Sequence, residues 1–204
     1  MNYSEPKVMI GLPTMNSLHP MLAITIMSWL AENKIGIRVY PTLGVQPVDN
    51  ARNQIVEEFL TGEGKDCTHL FFIDSDTIPP EDALEKLLAL DKPIASGITP
   101  IIDHHDKDMT WYRKWNCILP DGKNVRPNSG VHEVVGAGGS CLLIRRDVLE
   151  NMSKPHFRFV YQDENGKPCI VSEDIYFIAK AKERGFSTFA DTSIVCHHWK
   201  PTLW

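Results

Sequence analysis

The chain has 204 residues, of which 43% are apolar and 23% are charged. This length and composition fit one globular domain that buries most of its unfolded surface. Asp and Glu total 26 against 21 Lys and Arg, so the formal net charge is −5. An acidic balance without a basic run argues against nucleic acid as a partner, because polyanions bind to concentrated positive charge.

The sequence also lacks the signs of a membrane-spanning or secreted chain. No apolar run reaches the length of about 18 residues that a membrane helix needs, and residues 1–7 are polar. Five scattered cysteines without a C-x-x-C pair are typical of free thiols, not of disulfides or a zinc ribbon. We therefore expect a cytoplasmic protein with no transmembrane segment.

Strand and helix patterns alternate over the first hundred residues. Short apolar or β-branched runs predict strands over 8–12, 35–40, 70–73 and 93–98. Apolar residues at helical spacing predict helices over 20–33 and 48–60, and a third that begins with prolines and acids at 79–82. This alternation implies right-handed crossovers, and hence an α/β, Rossmann-like domain with a mainly parallel central sheet and helices on both faces.

The second half of the chain has a different character. Residues 102–130 are polar, aromatic and without a clear period, so we predict a long loop there. Two strands are predicted over 131–135 and 140–144, around a glycine-rich stretch. Ser172 is predicted to cap a helix over 173–184 that stops at Gly185, before a last strand over 186–190. Without repeats or a linker, we predict one domain over 1–204, with a smaller mixed β region in this half.

Two carboxylates directly follow the most apolar predicted strand. Asp74, Ser75 and Asp76 come after Leu70-Phe71-Phe72-Ile73. Ligands of open α/β sheets bind beyond the carboxyl ends of the strands, where carboxylates at i and i+2 can share Mg²⁺ or Mn²⁺. A solvated turn that starts the next helix is the alternative, but so apolar a run leading straight into two acids favours a metal site.

Two further clusters could join such a site. Glu173 and Asp174 stand at a predicted helix start, where the helix dipole stabilises acids and also keeps a general base ionised. His197-His198 is either a packed or exposed pair or the source of an imidazole ligand for Mn²⁺. Asp103-His104-His105-Asp106 looks equally suited to a metal, but it lies in the polar segment and is interpreted as a solvated loop.

In chain order these motifs resemble the GT-A fold glycosyltransferases, and among them the family-2-like enzymes that use nucleotide-diphospho-sugars. An isolated D-x-D is common. A D-x-D after an apolar strand, then G-x-G-G, then E-D at a helix start and a late His form a more specific series. The resemblance covers nearly the whole chain, and its motifs lie at 8–14, 49–53, 72–76, 136–140, 172–174 and 196–198.

The resemblance implies a role for each matched residue. Residues that would contact the nucleotide-sugar are Pro13, Thr14, Asp49, Arg52, Asp74, Ser75, Gly138 and Gly139. Asp76 would bind the metal directly, His198 would complete its coordination, and Asp74 would contact the ribose or a metal-bound water. Glu173 and Asp174 match the catalytic pair, with Asp174 the expected general base. For Asp49 and Arg52 the structural alternatives are a helix N-cap and an exposed helix charge.

The implied function is transfer of a hexose from a UDP- or GDP-sugar to a hydroxyl of a glycan or other acceptor, with Mn²⁺ or Mg²⁺ as cofactor. A cation bridging both phosphates stabilises the charge that develops as the sugar–phosphate bond breaks. A carboxylate on the opposite side can take the proton of the acceptor, which inverts the anomeric carbon. Similar sites also act with retention, so the stereochemistry stays open.

The two halves of the chain are expected to divide this work. Residues 1–100 would bind the nucleotide and residues 101–204 the acceptor. In the second half, Trp111, Tyr112, Trp115 and Trp199 could stack on sugar faces, although ordinary packing explains them equally well.

Three other functions stay open at this point. Asp74 and Asp76 also resemble the first motif of haloacid-dehalogenase-like phosphatases, as nucleophile and general acid, although two predicted strands precede them here. A nucleotidyltransferase is a weaker alternative, since its glycine-rich, basic first loop is absent. A non-catalytic nucleotide-sugar- or glycan-binding module would keep the same motifs.

Overall fold

Fifteen strands and five helices make up the part of the chain that the computed structural model describes, residues 6–104, 111–163 and 165–199. The helices are α1 (Pro20–Glu32), α2 (Val48–Thr61), α3 (Ala83–Ala89), α4 (Arg146–Glu150) and α5 (Glu173–Glu183). The strands are β1 (Lys7–Thr14), β2 (Gly36–Leu43), β3 (His69–Ile73), β4 (Thr77–Ile78), β5 (Ile94–Ile98), β6 (Pro100–His104), β7 (Trp111–Trp115), β8 (Cys117–Ile118), β9 (Val131–Val134), β10 (Gly136–Ala137), β11 (Cys141–Arg145), β12 (Val160–Gln162), β13 (Pro168–Val171), β14 (Thr188–Val195) and β15 (His197–His198).

Seven strands form the central sheet, in the order β2-β1-β3-β11-β5-β14-β9. The pairs β1–β2, β1–β3 and β5–β14 are parallel, whereas β11 is antiparallel to both of its neighbours and β9 is antiparallel to β14. Five strands therefore run in one direction and two in the other. The predicted α/β, Rossmann-like sheet is confirmed, but it is mixed, since only half of the neighbouring pairs are parallel.

The reversed direction of β11 follows from the path of the chain before it. β5 ends at the carboxyl edge of the sheet, and residues 99–104 and 111–140, the described part of the connection to β11, contain no helix that returns the chain to the amino edge. Consequently β11 starts at the carboxyl edge, where Cys141 pairs with Ile73, and ends where Arg145 pairs with His69. A parallel strand would need a crossover connection back to the amino edge.

Helices cover both faces of the central sheet, as predicted. In β3, Leu70 and Phe72 point to one face and Phe71 and Ile73 to the other, and all four side chains are fully buried. The first face packs against α2, α4 and α5, and the second against α1 and α3. A strand buried on both faces is apolar without alternation, which explains the continuous run that leads into Asp74.

The loop predicted over residues 102–130 is wrong for much of its length. β6 and β7 form an antiparallel hairpin, and β8 pairs with β10. Part of the glycine-rich stretch is thus a strand and not a turn between strands. Of the segment interpreted as a solvated loop, Asp103 and His104 lie in β6, whereas His105 and Asp106 lie outside the described residues. All four two-stranded ladders are antiparallel.

Other differences concern short elements. α3 begins at Ala83, after a turn at 80–82, and not at the prolines. Helix α4, the hairpin β12–β13 and the two-residue strands were not predicted, because these short segments lack the continuous apolar runs that mark β3 and β11. All five cysteines are free, as expected. Among the described residues, every helix is too short or too polar to span a membrane.

Candidate active site

The carboxyl ends of β1 and β3 open into a cleft of about 310 Å³, here called the first cleft. It is bounded by the ends of these strands, the start of α2 and the N-terminus of α5. Its lining residues are Pro13, Thr14, Met15, Val45, Gln46, Val48, Ala51, Arg52, Asp74, Ser75, Asp76, Glu173 and Asp174. This is the edge at which open α/β sheets bind their ligands.

A buried arginine ties the acids of this cleft together. The guanidinium of Arg52 donates from Nη2 to Oδ1 of Asp74 at 2.8 Å and from Nε to Oε1 of Glu173 at 3.1 Å. A third donation goes to the carbonyl oxygen of Gly139 at 3.2 Å. The Arg52 side chain is only 2% exposed, so the interpretation of Arg52 as an exposed helix charge is wrong.

The charges of this cluster compensate one another. Burial opposes the charge on Arg52, but the carboxylates of Asp74, Glu173 and Asp174 outweigh it, and the pKa of the guanidinium is raised. Burial raises the pKa of Glu173, and Arg52 counters this only in part. Because a buried charge is stable only when it is paired, Arg52 and its two partners form one structural unit.

Two glycines make room for polar side chains beside the cleft. A Cβ on Gly139 would lie 2.6 Å from Cζ of Arg52, and a Cβ on Gly138 would lie 2.6 Å from Nδ2 of Asn116. The space beside each glycine is thus occupied by a group of the protein itself. These contacts explain why both positions lack a side chain.

Asp174 is held at the N-terminus of α5 by three donors. Its Oδ2 accepts from the Gly139 N–H at 3.1 Å, and its Oδ1 accepts from the Ile175 N–H at 2.7 Å and from the Ser172 hydroxyl. Ser172 is the N-cap residue of α5, as predicted, although its hydroxyl bonds to Asp174 and not to a backbone N–H.

Asp174 also borders a second cleft, of about 180 Å³. This second cleft lies between the β6–β8 segment and the start of α5. Its lining residues are Ile101, Lys114, Trp115, Asn116, Ile118, Asn124, Gly138, Ser172, Asp174 and Ile175. Asp174 is the residue that these two linings share, so it lies between the two clefts.

Asp76 and His198 are brought together by a short antiparallel ladder. His198 pairs with Thr77, and the Trp199 N–H donates to the Asp76 carbonyl at 2.8 Å. Nε2 of His198 lies 3.2 Å from Oδ2 of Asp76, while its Nδ1 donates to the carbonyl of Pro100 at 3.0 Å. An imidazole that donates one ring N–H to a backbone carbonyl and directs its other nitrogen towards a carboxylate has the outer-shell contact typical of metal-binding histidines.

The residues present therefore fit a divalent cation as two protein ligands. Asp76 and His198 converge, but the carboxylate of Asp74 is engaged by Arg52, and the described residues contain no group of three His, Cys, Asp or Glu side chains suited to a metal. Mg²⁺ and Mn²⁺ commonly combine one or two protein ligands with water and phosphate oxygens. Two converging ligands thus suit a cation that arrives with a phosphorylated ligand.

Most residues predicted for the site do meet at the first cleft, and a few do not. Those on its lining are Pro13, Thr14, Arg52, Asp74, Ser75, Asp76, Glu173 and Asp174. Gly138 lines the second cleft. Asp49 lies on neither lining; its Oδ2 accepts from the Phe159 N–H at 3.4 Å, and Pro47, not Asp49, is the N-cap of α2.

Several residues that line these clefts were not predicted as site residues, and three of them bear on the geometry of the site. Val45 and Gln46, between β2 and α2, line the first cleft. Asn116 joins the second cleft to the core, since its Oδ1 accepts from the Thr99 N–H at 2.8 Å and its Nδ2 donates to Ser140 Oγ at 3.3 Å. The position of Val45 and Gln46 directly before α2 was a usable signal, because such loops border ligand sites in α/β sheets. Asn116 gave none.

Solved structures of known proteins share this fold. The crystal structure of A197 from STIV aligns over 96% of this chain and 86% of its own, with a TM-score of 0.61 and 21% identity. That of GalNAc-T7 with UDP, GalNAc and Mn²⁺ aligns over 97% of this chain, with a TM-score of 0.56 and 10% identity. This chain spans 44% of the length of the GalNAc-T7 chain.

A further likeness is weaker. The structure of the inositol-1-phosphate CTP transferase from T. maritima aligns with a TM-score of 0.49 at 11% identity, over 96% of this chain and 90% of that one. No protein-family model and no curated protein matches the sequence. At such low identities the structural comparisons show the fold, which is a Rossmann-like α/β fold of the GT-A type.

Proposed function

We propose that this protein is a metal-dependent glycosyltransferase that moves a sugar from a nucleotide-diphospho-sugar to an acceptor hydroxyl. The observation that carries the proposal is the position of Asp174, which lies where a cleft lined by Asp74, Ser75 and Asp76 meets a second cleft. A general base for this reaction must reach a hydroxyl of one substrate while that hydroxyl faces the other substrate.

The position of the first cleft at the carboxyl ends of β1 and β3 supports a nucleotide-diphospho-sugar as its ligand. In the proposal Pro13 and Thr14 lie against the base, and Asp74 and Ser75 border the ribose and diphosphate. Asp76 and His198 hold the divalent cation, which supplies positive charge for the phosphates when it is bound. The GalNAc-T7 structure, solved with UDP, GalNAc and Mn²⁺, has the same fold and so supports this class of donor.

In the proposal the acceptor binds in the second cleft, and Asp174 is the general base. Its carboxylate takes the proton of an acceptor hydroxyl while that oxygen forms a bond to the anomeric carbon. The bond from this carbon to the diphosphate oxygen breaks, and its electron pair leaves with the nucleoside diphosphate. Attack from the side opposite to the leaving group inverts the anomeric carbon. The proton ends on Asp174, from which solvent removes it.

The hydrogen bonds of the two neighbouring acids favour Asp174 over Glu173 as this base. Glu173 is buried and paired with Arg52, whereas Asp174 is partly exposed at the junction of the clefts. Donors from Gly139, Ile175 and Ser172 fix the orientation of Asp174. Glu173 has a structural part in this proposal, since its pairing with Arg52 holds the start of α5.

The test begins with the donor and continues with the base. UDP-, GDP- and dTDP-sugars are screened by thermal shift with and without Mn²⁺, because a bound ligand raises the unfolding free energy by RT ln(1 + [L]/Kd). For the donor that stabilises the protein, release of nucleoside diphosphate is then measured with a panel of methyl glycosides. We expect Asp174→Asn to keep the thermal shift and to lose at least 100-fold in release.

A matched substitution separates this effect from general damage. Asp91→Asn alters an exposed aspartate at positive φ, far from both clefts. It should leave the thermal shift by the donor and the rate of nucleoside diphosphate release unchanged. Full activity of Asp174→Asn would refute the assignment of the base. Donor binding without turnover in the wild type would indicate a binding module, and phosphate release from an aryl phosphate without any sugar nucleotide would indicate a phosphatase.

A further inference from the structure

The second cleft has a size that suits one small ring. Its volume of about 180 Å³ is well below the roughly 300 Å³ at which clefts for drug-sized ligands begin. It meets the first cleft at Asp174 and lies beside the half-buried Trp115. An occupant of this cleft therefore places a group next to the Asp174 carboxylate.

The walls of the second cleft differ in chemistry. The apolar residues of its lining are Ile101, Trp115, Ile118 and Ile175, and the polar or charged ones are Lys114, Asn116, Asn124, Ser172 and Asp174. A pyranose ring has the matching character, because its C–H groups form an apolar face and its hydroxyls point outward around the rim. Indole rings present a large, flat apolar surface to such a face.

Asn124 offers a hydrogen-bond acceptor to the occupant. Its Nδ2 donates to the backbone carbonyls of Trp115, at 2.7 Å, and Cys117, at 3.4 Å. These two bonds fix the amide plane, and among the described residues no donor reaches its Oδ1 at hydrogen-bond distance. An amide oxygen that is fixed in this way can accept a sugar hydroxyl without further loss of side-chain freedom.

Asn116 offers a donor on the same lining. Its Oδ1 is occupied by the Thr99 N–H, and one hydrogen of its Nδ2 is directed to Ser140 Oγ. The second hydrogen of the amide is available to a ligand. The missing side chain of Gly138 leaves the space in which this amide lies.

From these contacts we propose that the second cleft is a monosaccharide-binding subsite, in which the ring packs on Trp115 and its hydroxyls bond to Asn124 and Asn116. The inference rests on the proposed function for its catalytic meaning, since it makes the acceptor a sugar and places one of its hydroxyls at Asp174. In this inference Trp115, Asn116 and Asn124 determine which acceptor is used, and they are distinct from the residues that bind the donor.

The experiment measures binding of methyl glycosides by saturation-transfer NMR. Methyl glucoside, galactoside, mannoside and N-acetylglucosaminide are tested with the wild-type protein, with and without UDP and Mn²⁺. We expect at least one glycoside to give a saturable signal, and Trp115→Leu and Asn124→Ala each to weaken its binding about tenfold. Tyr161→Leu, which alters an exposed aromatic of β12 outside both clefts, is the control and should bind like the wild type.

The outcomes separate this inference from the proposed function. Thermal shifts with donors in the wild type, together with the absence of any glycoside signal, would overturn the subsite and leave the proposed donor site intact. A second outcome is that glycosides bind to the wild type but to neither Trp115→Leu nor Asn124→Ala, while no sugar nucleotide gives a thermal shift. This result would support a carbohydrate subsite and refute the transferase. If one variant does not fold, as judged by circular dichroism, the other decides, and wild-type affinity in a folded variant overturns the subsite.

Discussion

At the scale of single residues, Arg52 has the largest structural effect in the site. Its side chain is buried over the ring of Phe72, with Cζ 5.2 Å from the ring centroid, and it pairs with Asp74 and Glu173. The guanidinium is a planar donor that can serve two carboxylates and a carbonyl at once. Lysine cannot reproduce this geometry at the same position.

We predict that Arg52→Met lowers the free energy of unfolding by about 3–5 kcal/mol, because it leaves the buried Glu173 without its partner. Arg52→Lys should recover only part of this loss. Urea denaturation measures both variants. The exposed pair of Arg38 and Asp66 provides the control, since Arg38→Met should change stability far less. Equal losses in the two methionine variants would contradict the role given to Arg52.

The identities of these residues were predictable, but their contacts were not. Arg52, Asp74, Glu173 and Asp174 stand out in the sequence because acids after a strand and at a helix start are informative patterns. The pairing of Arg52 with Glu173 joins positions 121 residues apart. Nothing local to either residue indicates the other, and so Arg52 could equally be read as an exposed helix charge.

At the scale of elements, the ladder between β4 and β15 brings the imidazole of His198 to Asp76, a lining residue of the first cleft. β15 pairs antiparallel with β4, and successive side chains of a strand point to opposite faces. His198 therefore contacts Asp76, whereas His197 beside it is exposed. The resemblance already implied His198 and not His197 as the ligand, and the strand geometry gives a physical reason for that difference.

We predict that His198→Ala and Asp76→Ala each remove the Mn²⁺-dependent part of the stabilisation by a nucleoside diphosphate. Metal affinity should fall by more than the roughly tenfold that loss of an outer-shell partner costs. Thermal shifts with Mn²⁺ and with EDTA measure this part. His197→Ala is the matched control and should behave as the wild type; an equal loss in His197→Ala would argue against a ligand role specific to His198.

Prediction of the elements themselves depended on their length. The long helices α1, α2 and α5 and the strands of the sheet core show clear periodicity, and the sequence places them within a few residues. The hairpin of β6 and β7 was read as a loop, because its strands are polar and lack an alternating pattern. Their pairing is decided by main-chain hydrogen bonds between segments, which side-chain patterns do not report.

At the scale of the whole molecule, stability depends on a half-buried histidine, His69, at the start of β3. Burial, aided by the positive charge of Arg145, lowers the pKa of His69 to about 4. In the unfolded chain an imidazole titrates near a pKa of about 6.5. Below a pH of about 6.5 the imidazole therefore binds a proton in the unfolded state but not in the folded state. The free energy of unfolding consequently decreases as the pH falls from about 6.5 towards 4.

We predict that this single group accounts for on the order of 2–3 kcal/mol of the loss between pH 7 and pH 4. Urea denaturation of the wild type and of His69→Gln across this range gives the measurement. As the pH falls, the free energy of unfolding should decrease more steeply for the wild type than for His69→Gln, so that the two values approach each other at low pH. Parallel curves would show that His69 does not carry this pH dependence.

By itself, the sequence determined the α/β alternation, the burial of β3 on both faces and the series of acids, glycines and histidines that resembles a sugar-nucleotide site. These features are local, because they depend on periodicity and on residue type within short segments. Only the tertiary structure decided that β11 runs antiparallel, that Asp74 faces Arg52, that His198 faces Asp76 and that Asp174 lies between two clefts. The physical reason is distance along the chain: Asp76 and His198 are 122 residues apart, and only the folded sheet brings such positions together.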